Sequence, residues 1–171
     1  MGNTYKVVVT GPFNVGKTEF IRTISDIPIV STERRITDHL RATKEETTVA
    51  MDYGQVRLGN DIFHLYGTPG QPRFDFMWDI LAKEMDAFLV LVDSSDRGTF
   101  LRAKQLLRIF SRKDRVPCMV VANKQDVDNA LPVPKITKAL GLEGKILVVP
   151  CIATQKRSVR KVLEELRGLL K

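Results

Sequence analysis

Apolar and polar positions change period repeatedly along this chain, and each change marks an element boundary. Tyr5 to Thr10 is short and β-branched, stops at Gly11-Pro12, and predicts a buried strand. From Lys17 to Ser25, Phe20, Ile21 and Ile24 recur at helical spacing. Between about Pro28 and Thr48 the chain is polar and charge-rich with no period. That predicts a loop, and one so long in a compact domain is usually functional or mobile. Strand patterns resume over Val49 to Leu58 and Asp61 to Tyr66, joined at Gly59-Asn60, a pair suited to a two-residue hairpin. Strands are then expected over Ala87 to Val92, Val116 to Ala122 and Lys145 to Cys151. Helices are expected between and after them, over Thr99 to Lys113, Pro134 to Leu140 and Val159 to Leu170. The last carries Val159, Val162, Leu163, Leu166 and Leu170 on one stripe.

One hairpin followed by βαβ units implies an α/β fold. The sheet should be mostly parallel and six-stranded, with one antiparallel edge strand and helices on both faces. A chain of 171 residues most simply forms one domain, 1–171, able to bury a substantial core. Ligands of such sheets sit at the carboxyl ends of the strands.

Composition narrows the setting. Hydrophobic content of 43% and charged content of 27% are ordinary for a globular chain and indicate neither disorder nor a membrane span. The apolar run Phe88 to Val92 is far too short to cross a bilayer. The first residues have no signal-peptide core, Lys6 stands where myristoylation wants Ser or Thr, and the C-terminus has no prenylation box. A cytoplasmic protein is the expectation, with any membrane attachment made through charge or a partner. Cys118 and Cys151 lie in apolar runs and read as reduced, buried thiols; no spacing suits zinc. The net charge of +7 raises nucleic acid as a partner, but the basic residues are scattered over predicted helix faces, among them Arg102, Lys104, Arg108, Lys156, Arg157, Arg160 and Lys161. Solvated helix faces explain them at least as well. His39 and His64 have no partner at catalytic spacing.

Two motifs carry chemistry. Gly11-Pro12-Phe13-Asn14-Val15-Gly16-Lys17-Thr18 matches the phosphate-loop pattern and lies between a strand and a helix, as its mechanism requires. Backbone N–H groups must converge on phosphate oxygens, Lys17 adds charge at the β- and γ-phosphates, and the Thr18 hydroxyl can bind Mg²⁺. Asn123-Lys124-Gln125-Asp126 follows the strand Val116 to Ala122. A carboxylate there can accept hydrogen bonds from guanine N1–H and its 2-amino group, and adenine offers neither donor. The pattern is weak alone and strong at this distance beyond a phosphate loop.

The chain thereby resembles the Ras-like small GTPases, P-loop NTPases with a Ras-like G domain, over essentially its whole length. The resemblance rests on the phosphate loop, Thr48 four residues before Asp52, Gly67-Thr68-Pro69-Gly70-Gln71, Asn-Lys-Gln-Asp, and Ala153-Thr154 after the last strand. The phrase Tyr66 to Gln71 is most similar to the prokaryotic branch of MglA-type and Arf-like GTPases. The resemblance implies a molecular switch that binds GTP or GDP and hydrolyses GTP with Mg²⁺. In it Gly11, Asn14, Val15, Gly16, Lys17 and Thr18 cradle phosphates. Thr48, with Thr47 as the alternative, closes over the γ-phosphate and Mg²⁺, and Gly70 donates to the γ-phosphate. Gln71 orients the attacking water, Ala153 offers its N–H to guanine O6 beside Thr154, and the Lys124 stem packs on the base. The partners implied are activator and effector proteins, including a small roadblock-fold protein, engaged through loops 28–48 and 67–85.

Two departures matter. Gly67 stands where the family usually has an Asp that holds a water on magnesium, which leaves the ion weakly held or held by another carboxylate such as Asp93 or Asp52. Phe13 falls where many relatives carry Gly beside the γ-phosphate, and its ring should obstruct an incoming arginine finger, whose contribution is on the order of 10³–10⁵ in rate. Slow turnover and an activator that orders the loops are the expectation. Phe74, Met77, Trp78, Leu81 and Met85 share a face that reads as core, and Phe76 and Ile80 point the other way, as a partner surface or under a loop. Three other readings stay open: a GTP- or GDP-binding scaffold with negligible hydrolysis, a P-loop kinase or ATPase, and an RNA-associated GTPase.

Overall fold

The computed structural model describes residues 1–38, 45–69, 76, 83–111 and 116–171. Seven strands form one sheet: β1 (Thr4–Thr10), β2 (Val30–Asp38), β3 (Glu45–Leu58), β4 (Asp61–Gly67), β5 (Ala87–Asp93), β6 (Cys118–Asn123) and β7 (Val148–Pro150). Their order is β2-β3-β4-β1-β5-β6-β7. From β4 to β7 all neighbours are parallel, while β3 runs antiparallel to both β2 and β4. The helices described are α1 (Lys17–Ile24), α2 (Gly98–Ser111), α3 (Val133–Leu140) and α4 (Lys156–Leu169).

The mostly parallel α/β architecture is as expected, with one strand more. The stretch 28–48, read as a loop, contains β2 and the first residues of β3, paired from Val30↔Tyr53 to Asp38↔Glu45. The reversed strand, β3, is therefore one place in from the edge. Hydrophobic period fails here for a physical reason. An edge strand is held by cross-strand hydrogen bonds and needs no apolar period in its sequence, and charged residues such as Glu33, Arg34 and Arg35 are common in edge strands. The Gly59-Asn60 hairpin is present, with Leu58 opposite Asp61 and Gly59 at φ 60°.

The parallel strands are apolar on both faces because helices cover both. On one face Val7 and Val9 pack with Phe20, Ile21 and Ile24 of α1 and with Val159, Val162, Leu163 and Leu166 of α4. On the other, Val8, Phe88 and Val90 pack with Ala103, Leu106 and Leu107 of α2 and with Ile136 of α3. Each fully buried side chain of this kind contributes about 1.5–3 kcal/mol. The cysteines are free, and burial pushes the Cys151 thiol up to about 11, so it stays protonated at neutral pH.

Helix α1 packs directly against glycine positions of the sheet. A Cβ on Gly54 would stand 2.5 Å from Ile21 Cγ2, and one on Gly67 2.8 Å from Ile21 Cδ1. Glycines on neighbouring strands, Gly54 of β3 and Gly67 of β4, thus let one isoleucine settle onto the sheet. This close seating carries the start of α1 toward the end of β4.

Candidate functional site

The carboxyl ends of β4, β1, β5 and β6 share one edge of the sheet, and the site is assembled there. The chain leaves β1 at Thr10 through a loop with Gly11 at φ 148°, Asn14 at φ 64° and Gly16 at φ 102°. A Cβ on Gly11 would lie 2.4 Å from Leu91 O, and one on Gly16 2.5 Å from Asn123 Nδ2. Gly16 is the N-cap of α1 and no side chain caps the helix, so the N–H groups of its first turn stay open toward an anion. Lys17 Nζ donates to Gly11 O at 2.6 Å and to Pro12 O at 2.7 Å, and burial lowers its pKa to about 8. The ammonium thus waits across the loop, satisfied by carbonyls that an anion can replace. Thr18 Oγ1 donates to Asp52 Oδ2 at 2.6 Å. Phe13 is 84% exposed on the same loop.

The second wall comes from the end of β6. Asn123, 2% exposed, donates from Nδ2 to Val15 O at 2.8 Å and accepts at Oδ1 from Ala153 N–H at 2.9 Å. One amide thereby joins the phosphate loop, β6 and the segment after β7. Lys124, at φ 63°, donates to Asn14 O at 3.0 Å and to Asp93 Oδ2 at 2.7 Å. Burial alone would raise the Asp93 carboxyl, but hydrogen bonds from Lys124 and Ser95 and the Lys124 charge bring it below its ordinary range. Gln125 Nε2 donates to Ser94 Oγ at 2.7 Å and to Leu131 O at 3.0 Å, fixing the loop from which Asp126 projects. Asp126 is exposed and makes no hydrogen bond or ion pair with the described residues.

The structure therefore brings together Gly11, Asn14, Val15, Gly16, Lys17, Thr18, Asn123, Lys124 and Ala153. Two expectations need restating. The Ala153 N–H is taken by Asn123, so a base carbonyl would have to displace that bond or use a neighbouring donor such as Thr154 N–H. Thr48 lies within β3 opposite Arg35, four residues from Asp52. At about 3.3 Å per residue that is roughly 13 Å along the strand from Asp52. Gly70 and Gln71 lie outside the described residues, as do His39, Phe74, Met77, Trp78, Ile80 and Leu81. Met85 is buried as expected, and Phe76 is half-buried against the α2 face of the core and not exposed. His64 is bonded to the Tyr53 hydroxyl at 2.6 Å, a structural pairing. The roles of Gln125 and Ser95 were not legible: one is the variable position of its motif, the other belongs to no motif. A cavity of about 840 Å³ at the opposite end of β6, lined by Leu107, Pro117, Cys118, Leu140, Leu142 and Ile146, shares no residue with this site.

The donor set fits a nucleotide with a hard cation: open N–H groups, one lysine, a hydroxyl and carboxylates. Comparison with known proteins agrees. The profile of the ADP-ribosylation factor (Arf) family matches residues 2–169. An uncharacterized protein of Methanocaldococcus jannaschii is 32% identical over 122 residues, 71% of each chain. ADP-ribosylation factor-related protein 1 of Bos taurus is 28% identical over 172 residues, 94% of this chain and 82% of that one. In three dimensions the chain is similar to the Arl6 BBS3 small GTPase from Trypanosoma brucei with bound nucleotide analogue GppNp. The TM-score is 0.74 at 21% identity, over 98% of this chain and 97% of the other.

Proposed function

Because the chain belongs to the ADP-ribosylation factor family of GTP-binding switches, we propose that it cycles between GTP and GDP through slow, Mg²⁺-dependent hydrolysis. The observation that carries this reading is the Asn123 bridge: it holds the phosphate loop at Val15 against the segment that leads to Asp126 and Ala153. Phosphate and base sites are then one rigid unit, and the free carboxylate of Asp126 selects guanine by accepting from N1–H and the 2-amino group.

In this reading Lys17 exchanges its carbonyl partners for the β- and γ-phosphates, and the open first turn of α1 binds phosphate oxygens. The Thr18 hydroxyl holds Mg²⁺, which supplies charge neutralisation at the phosphates. Gln71 positions water, the Gly70 N–H meets the γ-phosphate, and Thr48 joins the metal site once the β2–β3 ribbon has rearranged. That rearrangement gives partners a nucleotide-dependent surface over 28–48 and 67–85. The exposed Phe13 ring supports slow turnover and an activator that orders these segments without inserting an arginine. The phrase Tyr66 to Gln71 supports an affiliation with the prokaryotic MglA-type branch, and with it a roadblock-fold partner. The setting proposed is cytoplasmic; among the described residues no helix is long and apolar enough to cross a membrane.

Denaturing the purified protein and chromatographing what is released tests the assignment: GDP or GTP is expected, and an adenine nucleotide would contradict it. Gly67 and Phe13 also favour a second reading, a scaffold that retains nucleotide without useful hydrolysis. Single-turnover conversion of bound GTP to GDP separates the two.

A further inference from the structure

We propose that Asp52, on β3, supplies the carboxylate of the magnesium site that position 67 lacks. The inference rests on the guanine-nucleotide reading and deepens it at one residue. A hydroxyl that offers a lone pair to a cation must direct its O–H elsewhere, and P-loop proteins complete such a site with a carboxylate. Thr18 Oγ1 sends its proton to Asp52 Oδ2 at 2.6 Å, which leaves the oxygen's lone pairs free to accept or to coordinate. Asp52 thus acts as a positioning residue: it aims Thr18 and places a negative charge behind it.

The alternative carboxylate is committed elsewhere. Asp93 is held by Lys124 Nζ at 2.7 Å and by the N–H and hydroxyl of Ser95 at 2.9 and 2.6 Å. Asp52 reaches Thr18 because of the sheet register and the low seat of α1. Asp52 stands directly opposite Gly67, so the two positions point to one face of the sheet. A side chain at 67 would find its Cβ 2.8 Å from Ile21 Cδ1, 3.3 Å from Asp52 Cβ and 3.7 Å from Asp52 Oδ2. Carboxylates at both positions would also face each other as like charges, which is destabilising. The aspartate at 52 and the glycine at 67 are therefore one feature, a single carboxylate displaced by one strand.

The test uses the full chain loaded with a fluorescent GDP analogue, mant-GDP, and follows its release into excess GDP over a series of free Mg²⁺ concentrations. Asp52→Ala should raise the Mg²⁺ concentration needed to retain nucleotide by about 10- to 100-fold, as loss of an outer-shell partner typically does. Release in EDTA should stay within about twofold of wild type. Asp52→Asn, nearly isosteric, should shift in the same direction and guards against a folding defect in the alanine variant. The double variant Asp52→Ala/Gly67→Asp should recover most of the loss, because the carboxylate returns from the opposing strand where the Asp52 carboxylate stood, with the Ile21 Cδ1 methyl moving aside for the new Cβ. A shift under about threefold, or release in EDTA that accelerates as much as release in Mg²⁺, would overturn the proposal and leave the contact as a strut. If wild type bound no mant-GDP, the guanine reading itself would fail; a Mg²⁺-sensitive wild type with an indifferent Asp52→Ala removes only this inference.

Discussion

Replacing Asn123 with alanine should loosen both halves of the nucleotide site at once. The side chain makes two hydrogen bonds in a region where Asn123 is 2%, Val15 0% and Ala153 5% exposed. Truncation leaves the Val15 carbonyl and the Ala153 N–H without partners, and a buried polar group stranded in this way costs about 1–3 kcal/mol. A total of about 3 kcal/mol is a large share of the 5–15 kcal/mol typical of a folded domain. For a domain of this size each kcal/mol moves the melting point by about 2–4 °C, so the drop should be roughly 6–12 °C. Asn123→Asp sharpens the test. It keeps the acceptor for Ala153 but sets a carboxylate oxygen against the Val15 carbonyl, so its folded pKa is raised. Stability lost at neutral pH should then return as pH falls toward the unfolded value of about 3.9, where the protonated carboxyl can donate to Val15. The assay is thermal melting by circular dichroism at pH 7.5 and pH 5, together with GDP release. An alanine variant melting within 2 °C of wild type, or an aspartate variant whose deficit does not shrink at pH 5, would refute the reasoning.

Lys17 predicts a pH dependence. Its folded pKa of about 8, against 10.5 as the ordinary value, means that the nucleotide-free protein carries a burial penalty that is complete below pH 8. The penalty is relieved as pH rises from 8 to 10.5, where only the unfolded chain keeps the proton. Phosphate binding wants the ammonium, so GDP affinity should fall about fourfold between pH 7 and pH 8.5; a flat titration by calorimetry contradicts this. Gly11→Ala should cost about 2–4 kcal/mol and abolish nucleotide retention, because its Cβ meets the backbone oxygen of Leu91 at 2.4 Å in addition to the strain of its φ. Gly141→Ala, at φ 67° with nothing within 4 Å, should cost only about 1–2 kcal/mol. Equal urea midpoints for the two would refute the steric argument.

Much of this was legible in the residues, for reasons that can be named. The buried parallel strands announce themselves as apolar β-branched runs, and Val7 to Val9 are fully buried as that pattern demands. The two ligand motifs lie where turns leave such strands, because backbone N–H groups and loop side chains are free only there. What no local pattern carries depends on register and on contacts across the sheet. The sequence of β2 carries no apolar period to betray it. The pairing of Asp52 with Thr18 spans 34 residues and follows from Asp52 standing opposite Gly67, which no local pattern encodes. The same holds for Asn14 with Lys124 and for Ala153 with Asn123.

Guanine selection by Asp126 is tested most directly by equilibrium competition of unlabelled GDP, ADP and xanthosine diphosphate against mant-GDP, in wild type and in Asp126→Asn. Wild type should prefer GDP to ADP by several orders of magnitude. The asparagine variant should lose most of that preference and gain affinity for the xanthine nucleotide, whose C2 carbonyl can accept from the new amide. An unchanged ranking of the three nucleotides in the variant would contradict a base site built on this carboxylate.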